Sequence, residues 1–192
     1  VPFATSLALN ALAKGVVEQE QAAVEQTFDT PTPFTRNAFR IEVATKSKPV
    51  ALVAVKDIQA QYIAPYINGG DRFLGSKRGM LAPREIGLNQ YGNLPKNKLK
   101  TLLAKPGVFV GKVTTKAGKT ISGVWQRGTP AKLGRGGRIL KAAQPLKLLI
   151  QFEDTTAAPK HLPFYERARA YLKRNAAREF DTAMRRALTT AR

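Results

Sequence analysis

Residues able to do chemistry are few in this chain. There is one histidine, His161, and no cysteine. The missing cysteine removes disulfides, thiol nucleophiles and thiolate-bound zinc or iron–sulfur centres. The histidine count excludes a multi-histidine metal site, and a Ser–His–Asp arrangement would rest on His161 alone. That residue lies just before Pro163, where a surface or helix-capping place is expected. The carboxylates do not pair at spacings suited to acid–base or two-metal work. Glu153 and Asp154 close an expected strand, and Glu179 and Asp181 fall on an expected helix surface. The residues therefore read as non-enzymatic, with no catalytic residue, metal or cofactor.

Two glycine runs could cradle phosphate: Gly69-Gly70 and Gly134-Arg135-Gly136-Gly137-Arg138. Neither has the GxxxxGK(S/T) or GxGxxG spacing of nucleotide sites. The second fits a flexible basic loop able to lie on a phosphate backbone, since arginine forks match phosphate oxygens and glycines let backbone amides approach. Phe109 and Trp125 are interleaved with bases, as in single-strand binders. Both sit at alternating strand positions, however, where a core role is expected. No helix-turn-helix or RNP-like sequence is present, so reading of base sequence is not supported.

Charge is the strongest compositional signal. The chain of 192 residues carries 32 Lys and Arg against 13 Asp and Glu, a net of +19. Solubility needs a net charge of only about 2–8. Such an excess implies a polyanionic partner, whether nucleic acid, an anionic surface or an acidic protein. Residues 1–29 are acidic at −3, residues 30–150 carry +18 and residues 151–192 carry +4. Between Glu85 and Glu153 there are 13 bases and no acid. No apolar run approaches the about 20 residues of a membrane span, and no signal peptide is visible. No membrane partner is expected. With 43% hydrophobic residues, the chain can bury a core.

These residues must be positioned by elements that the periodicity outlines. Residues 3–26 read as a helix with Phe3, Leu7, Leu12 and Val16 on its apolar stripe, its acids facing away. Pro31 and Pro33 then suggest a stiff linker. Residues 39–45 and 50–56 read as a hairpin. A short helix from Asp57 is expected to be cut by Pro65. A helix over 95–104 follows, then strands over 107–114, 119–127 and 146–152. A loop occupies 128–142. Residues 162–190 form a long amphipathic helix, with Phe180 expected in the core. The predicted class is α+β: an N-terminal helix, an antiparallel sheet with a long loop-rich insertion, and a long C-terminal helix. The predicted organisation is an arm over 1–29 and a single domain over 30–192, with the insertion at about 57–106.

Four stretches in order carry a family likeness. They are the Ala-rich helix ending before TPTPFTRNAF (Thr30 to Phe39), YIAPYINGGDR (Tyr62 to Arg72), GLNQYGNLPKNKLKTLL with Tyr91-Gly92-Asn93-Leu94, and GVWQR (Gly123 to Arg127) leading through LKLLIQF to a long helix with Phe164, Phe180 and Ala183. Together they resemble the phage minor tail proteins related to protein Z, the tail-completion group. The resemblance implies a structural virion protein that finishes the tail at or near the head–tail junction, with no chemistry of its own. It implies other neck and tail proteins as partners, assembly in the host cytoplasm and a homo-oligomeric ring, six-fold in expectation, through which DNA passes.

Composition agrees with assembly. Closed rings bury helices and strand edges between copies. Phe3, Leu7, Leu12 and Val16 are accordingly the candidate subunit interface, on an arm docked to a neighbour. Lys116, Lys119, Arg127, Lys132, Arg135 and Arg138 are the candidates facing a polyanion or partner, expected on two connected loops at one end of the sheet. Non-specific contact with genomic DNA is compatible with them. The alternative function is a basic, non-specific nucleic-acid-binding protein.

Overall fold

A computed structural model describes residues 1–71, 80–154 and 157–190. Arg72, the last residue of the second family-like stretch, lies outside them. The elements in order are α1 (Pro2–Thr27), α2 (Pro33–Arg36), β1 (Phe39–Glu42), β2 (Leu52–Val55), α3 (Asp57–Asn68), β3 (Gly70–Asp71), β4 (Met80–Pro83), α4 (Lys98–Leu103), β5 (Val108–Thr114), β6 (Thr120–Gln126), β7 (Lys132–Leu133), β8 (Ile139–Lys141), β9 (Lys147–Glu153), β10 (Ala157–Ala158) and α5 (Phe164–Thr190). The protein is α+β, with a helix at each end and antiparallel pairing between.

The chain divides into two compact units, Val1–Arg72 with Ala157–Arg192, and Phe73–Thr156. This differs from an arm on a single domain. Each unit closes its own hydrophobic cluster, so the second is an insertion in the sequence of the first, longer than residues 57–106. The first cluster gathers Val24, Ala38, Phe39, Ile63, Leu162 and Phe164. The second gathers Leu102, Val124, Leu149 and Ile150. The hairpin β1–β2 belongs to the first and does not join the larger sheet.

In the first unit, α1 lies along α5. It starts with Pro2 in its first turn, where the missing N–H is no loss. Its small residues Ala4, Ala8 and Ala13 and the larger Leu12, Val16 and Val24 are all buried. Gly15 stands under the Tyr171 hydroxyl, so a side chain there would collide with the ring end. Asn10 ties α1 to the end of the hairpin: its amide donates to the Ala44 carbonyl (2.9 Å) and its oxygen accepts from the Ala44 N–H (2.7 Å). Helix α3 runs through Pro65 rather than stopping there. The lost hydrogen bond is outweighed by burial of Ile63 and Ile67 on either side of it.

The second unit is a four-stranded antiparallel sheet in the order β4-β9-β6-β5. In β6, Trp125 pairs with Phe109 across the ladder, is buried, and donates its indole N–H to the Gly111 carbonyl at 3.2 Å. Gly123 faces Gly111 on one side and leaves no room for a side chain against the Ile150 carbonyl on the other. A register shift between Val124 and Trp125 follows immediately. Strand β4, which lacks a clear alternation in sequence, completes the sheet, and Arg84 just beyond it pairs with Glu153 of β9 at 2.7 Å.

Candidate polyanion interface

The second unit, Phe73–Thr156, carries 16 Lys and Arg against three acids, a net of +13. Two of those acids are already occupied: Glu153 by Arg84 and Glu85 by Lys147. The six candidate bases are all exposed, and they fall into two groups. Lys116 and Lys119 lie at the β5–β6 turn, which Gly118 closes at φ 78° with its N–H on the Thr115 carbonyl. Arg127, Lys132, Arg135 and Arg138 follow the far end of β6. A seven-residue strand separates the groups by about 20 Å, so they do not share one end of the sheet. The sequence places both groups at strand termini, but a strand's two termini are necessarily its opposite ends.

The larger group has company that sequence spacing did not reveal. Helix α4, with Lys98 and Lys100, and Lys105 after it lead directly into the start of β5. That start lies beside Arg127, whose N–H bonds the Gly107 carbonyl at 2.7 Å. The Arg127 guanidinium stands over the Phe109 ring, 5.1 Å from its centroid, a cation–π contact that fixes its direction. Lys147 begins β9 opposite Gln126. One end of the sheet thus collects bases from four separate segments.

Residues 128–142, expected as a loop, carry strand pairing. Thr129 and Gln144 exchange backbone hydrogen bonds at 3.0 and 2.8 Å, β7 pairs with β8, and the Gly134 N–H bonds the Arg138 carbonyl at 2.8 Å. Arg135–Gly137 make one 3-10 turn, with Gly137 at φ 77°. The result is a two-stranded ribbon. Leu133, Ile139 and Leu140 on it are 60%, 65% and 61% exposed.

The proposed subunit-interface residues are placed differently from one another. Leu12 and Val16 are buried inside the chain, so they are unavailable to a neighbour; Phe3 is exposed and Leu7 half-buried. Phe180 is also exposed, with Leu172, Met184 and Leu188, because the seam of α5 toward α1 runs instead through Phe164, Arg167, Tyr171 and Ala183. His161 is exposed, and its backbone N–H bonds the Tyr66 carbonyl. Among the described residues no group of three His, Asp or Glu could hold a metal, and no helix is long and apolar enough to cross a membrane. Comparison with protein-family models, with curated proteins and with solved structures finds no match to this chain.

Proposed function

We propose that the protein is a structural component of a tailed-phage virion, a tail-completion or neck protein at the head–tail junction. It assembles in the host cytoplasm as a ring, six-fold in expectation, with other neck and tail proteins as partners, and DNA passes through. The family resemblance motivates this reading. The observation that carries it furthest is the un-neutralised second unit, +13 with two of its three acids tied in ion pairs. Self-repulsion of that size is offset when a partner covers it. Exposed Leu133, Ile139 and Leu140 beside the bases favour a surface that is covered in an assembly. The function needs no catalytic group.

Purified particles bearing the gene test the reading. Immunogold electron microscopy should place the chain at the head-proximal end of the tail. Its absence from washed particles would overturn the proposal. Non-specific nucleic-acid binding outside a virion is the second reading, favoured by the same charge. The two separate by salt titration: a dedicated binder holds free duplex as a dispersed monomer, and a ring protein holds it weakly until assembled.

A further inference from the structure

The ribbon over residues 128–146 contains an electrostatic conflict. Lys132 and Lys141 are direct cross-strand partners. Like charges in that relation stand with Cβ atoms about 5 Å apart and destabilise the pair. The next pair is Leu133 with Ile139, after a one-residue register shift. The shift leaves Leu140 as the extra residue on β8, its side chain against Gly134, and the paired lysines stand at the open end of the ribbon. Arg135 and Arg138 flank the turn at its tip, around glycines that let the backbone approach a ligand closely.

The chain itself supplies little to resolve the conflict. Among the described residues, eight of the 13 acids are in ion pairs: Glu18, Glu20, Glu25, Glu42, Glu85, Glu153, Glu179 and Asp181. A second copy would bring another +19 with the same shortage of acids. The anion therefore comes from a different molecule. Two lysines side by side with two arginine forks a turn away suit regularly spaced phosphates, which neutralise bases in series. A two-stranded ribbon also has the width that the major groove of duplex DNA admits.

From this we infer that the ribbon is a DNA-binding arm in which Lys132, Lys141, Arg135 and Arg138 engage successive phosphates of a duplex without regard to sequence. The inference rests on the reading that the protein meets DNA and names the surface that does so. Its test uses the full chain and a fluorescein-labelled duplex of mixed sequence. Anisotropy is measured between about 50 and 200 mM salt.

Wild type, weaker than a dedicated binder while dispersed, should still bind saturably at the lowest salt, with log affinity falling steeply against log salt. K132Q/R135Q/R138Q/K141Q should lower the magnitude of that slope by about 3 to 4, at about 0.9 for each phosphate no longer neutralised. K48Q/K112Q/K160Q/K173Q removes the same charge at exposed lysines elsewhere and should change it by less than about 1. L133S/I139S should leave the slope as it is, since apolar contacts release no counterions. Unchanged Trp125 fluorescence and far-UV circular dichroism establish that each variant is folded.

Equal slope losses in the two glutamine quadruples would overturn the inference and leave only diffuse charge. So would the absence of saturable binding by wild type at the lowest salt, which would assign the lysine pair to carboxylates of an acidic protein. The virion reading is judged separately, on particles. A chain found in particles whose ribbon ignores duplex DNA keeps that reading and loses this one.

Discussion

Glu20 has no exposed surface, and both its carboxylate oxygens are taken by Arg167, at 3.1 Å from Nε and 2.6 Å from Nη2. Sequence periodicity turns the acids of the first helix, Glu20 among them, away from its apolar stripe. Burial of a carboxylate is tolerated here because the guanidinium fork answers it in a bidentate pair. Removing Arg167 leaves the buried Glu20 charge alone, whereas Arg167 itself keeps access to water. Arg167→Ala is expected to lower stability by about 3–5 kcal/mol in urea unfolding. The double variant Glu20→Met with Arg167→Met should recover most of that, since an apolar pair of similar volume often replaces a buried ion pair without loss. An Arg167→Ala protein as stable as wild type would show that the pair is not closed in solution. Gly123 is the second such residue. A methyl group there meets the Ile150 carbonyl, a backbone atom held by the ladder, so Gly123→Ala should destabilise the second unit by about 1–3 kcal/mol, read by Trp125 fluorescence in urea.

Helix α1 has the amphipathic stripe of an arm and a proline-rich exit, and both features suit docking on a neighbour. It docks instead on α5 of its own chain, where Gly15 admits Tyr171 and Ala183 is buried. Deleting residues 1–29 should therefore unfold the first unit, seen as loss of helical circular dichroism beyond the deleted residues' share. A truncated chain that keeps α5 helical and soluble would restore the arm reading. Phe180 shows the same shift of face. It is 39% exposed, so Phe180→Ala should cost about 1–2 kcal/mol rather than the about 3–5 kcal/mol of a fully buried ring. A loss in the upper range would mean that the ring is covered in solution, most simply by another subunit.

Across the whole molecule, each of the two units has a separate hydrophobic cluster, so unfolding need not be one all-or-none step. Trp125 is the one tryptophan and belongs to the second unit. The two long helices belong to the first. Tryptophan fluorescence and circular dichroism at the helix minimum thus report different units, and their denaturation curves should not coincide. Superimposable curves would show that the units unfold as one.

Composition and periodicity were enough for the α+β class, the two long helices, the strands of the β5–β6 hairpin, the strand before Glu153 and the concentration of positive charge. All of these are local: a repeat of two or of 3.6 residues, or a run without acids. What the sequence left open depended on partners distant in the chain. The Glu20–Arg167 pair spans 147 positions, and nothing near either residue announces it. The choice of face on α5 depended on α1 lying against it, and the passage of α3 through Pro65 on a core waiting beneath. The basic candidates are exposed, and their separation along β6 came from the run of the strand. The order in the residue 128–146 ribbon came from backbone pairing that its glycines conceal. Local pattern states what an element is; only the fold decides which side of it is inside and which charges stand together.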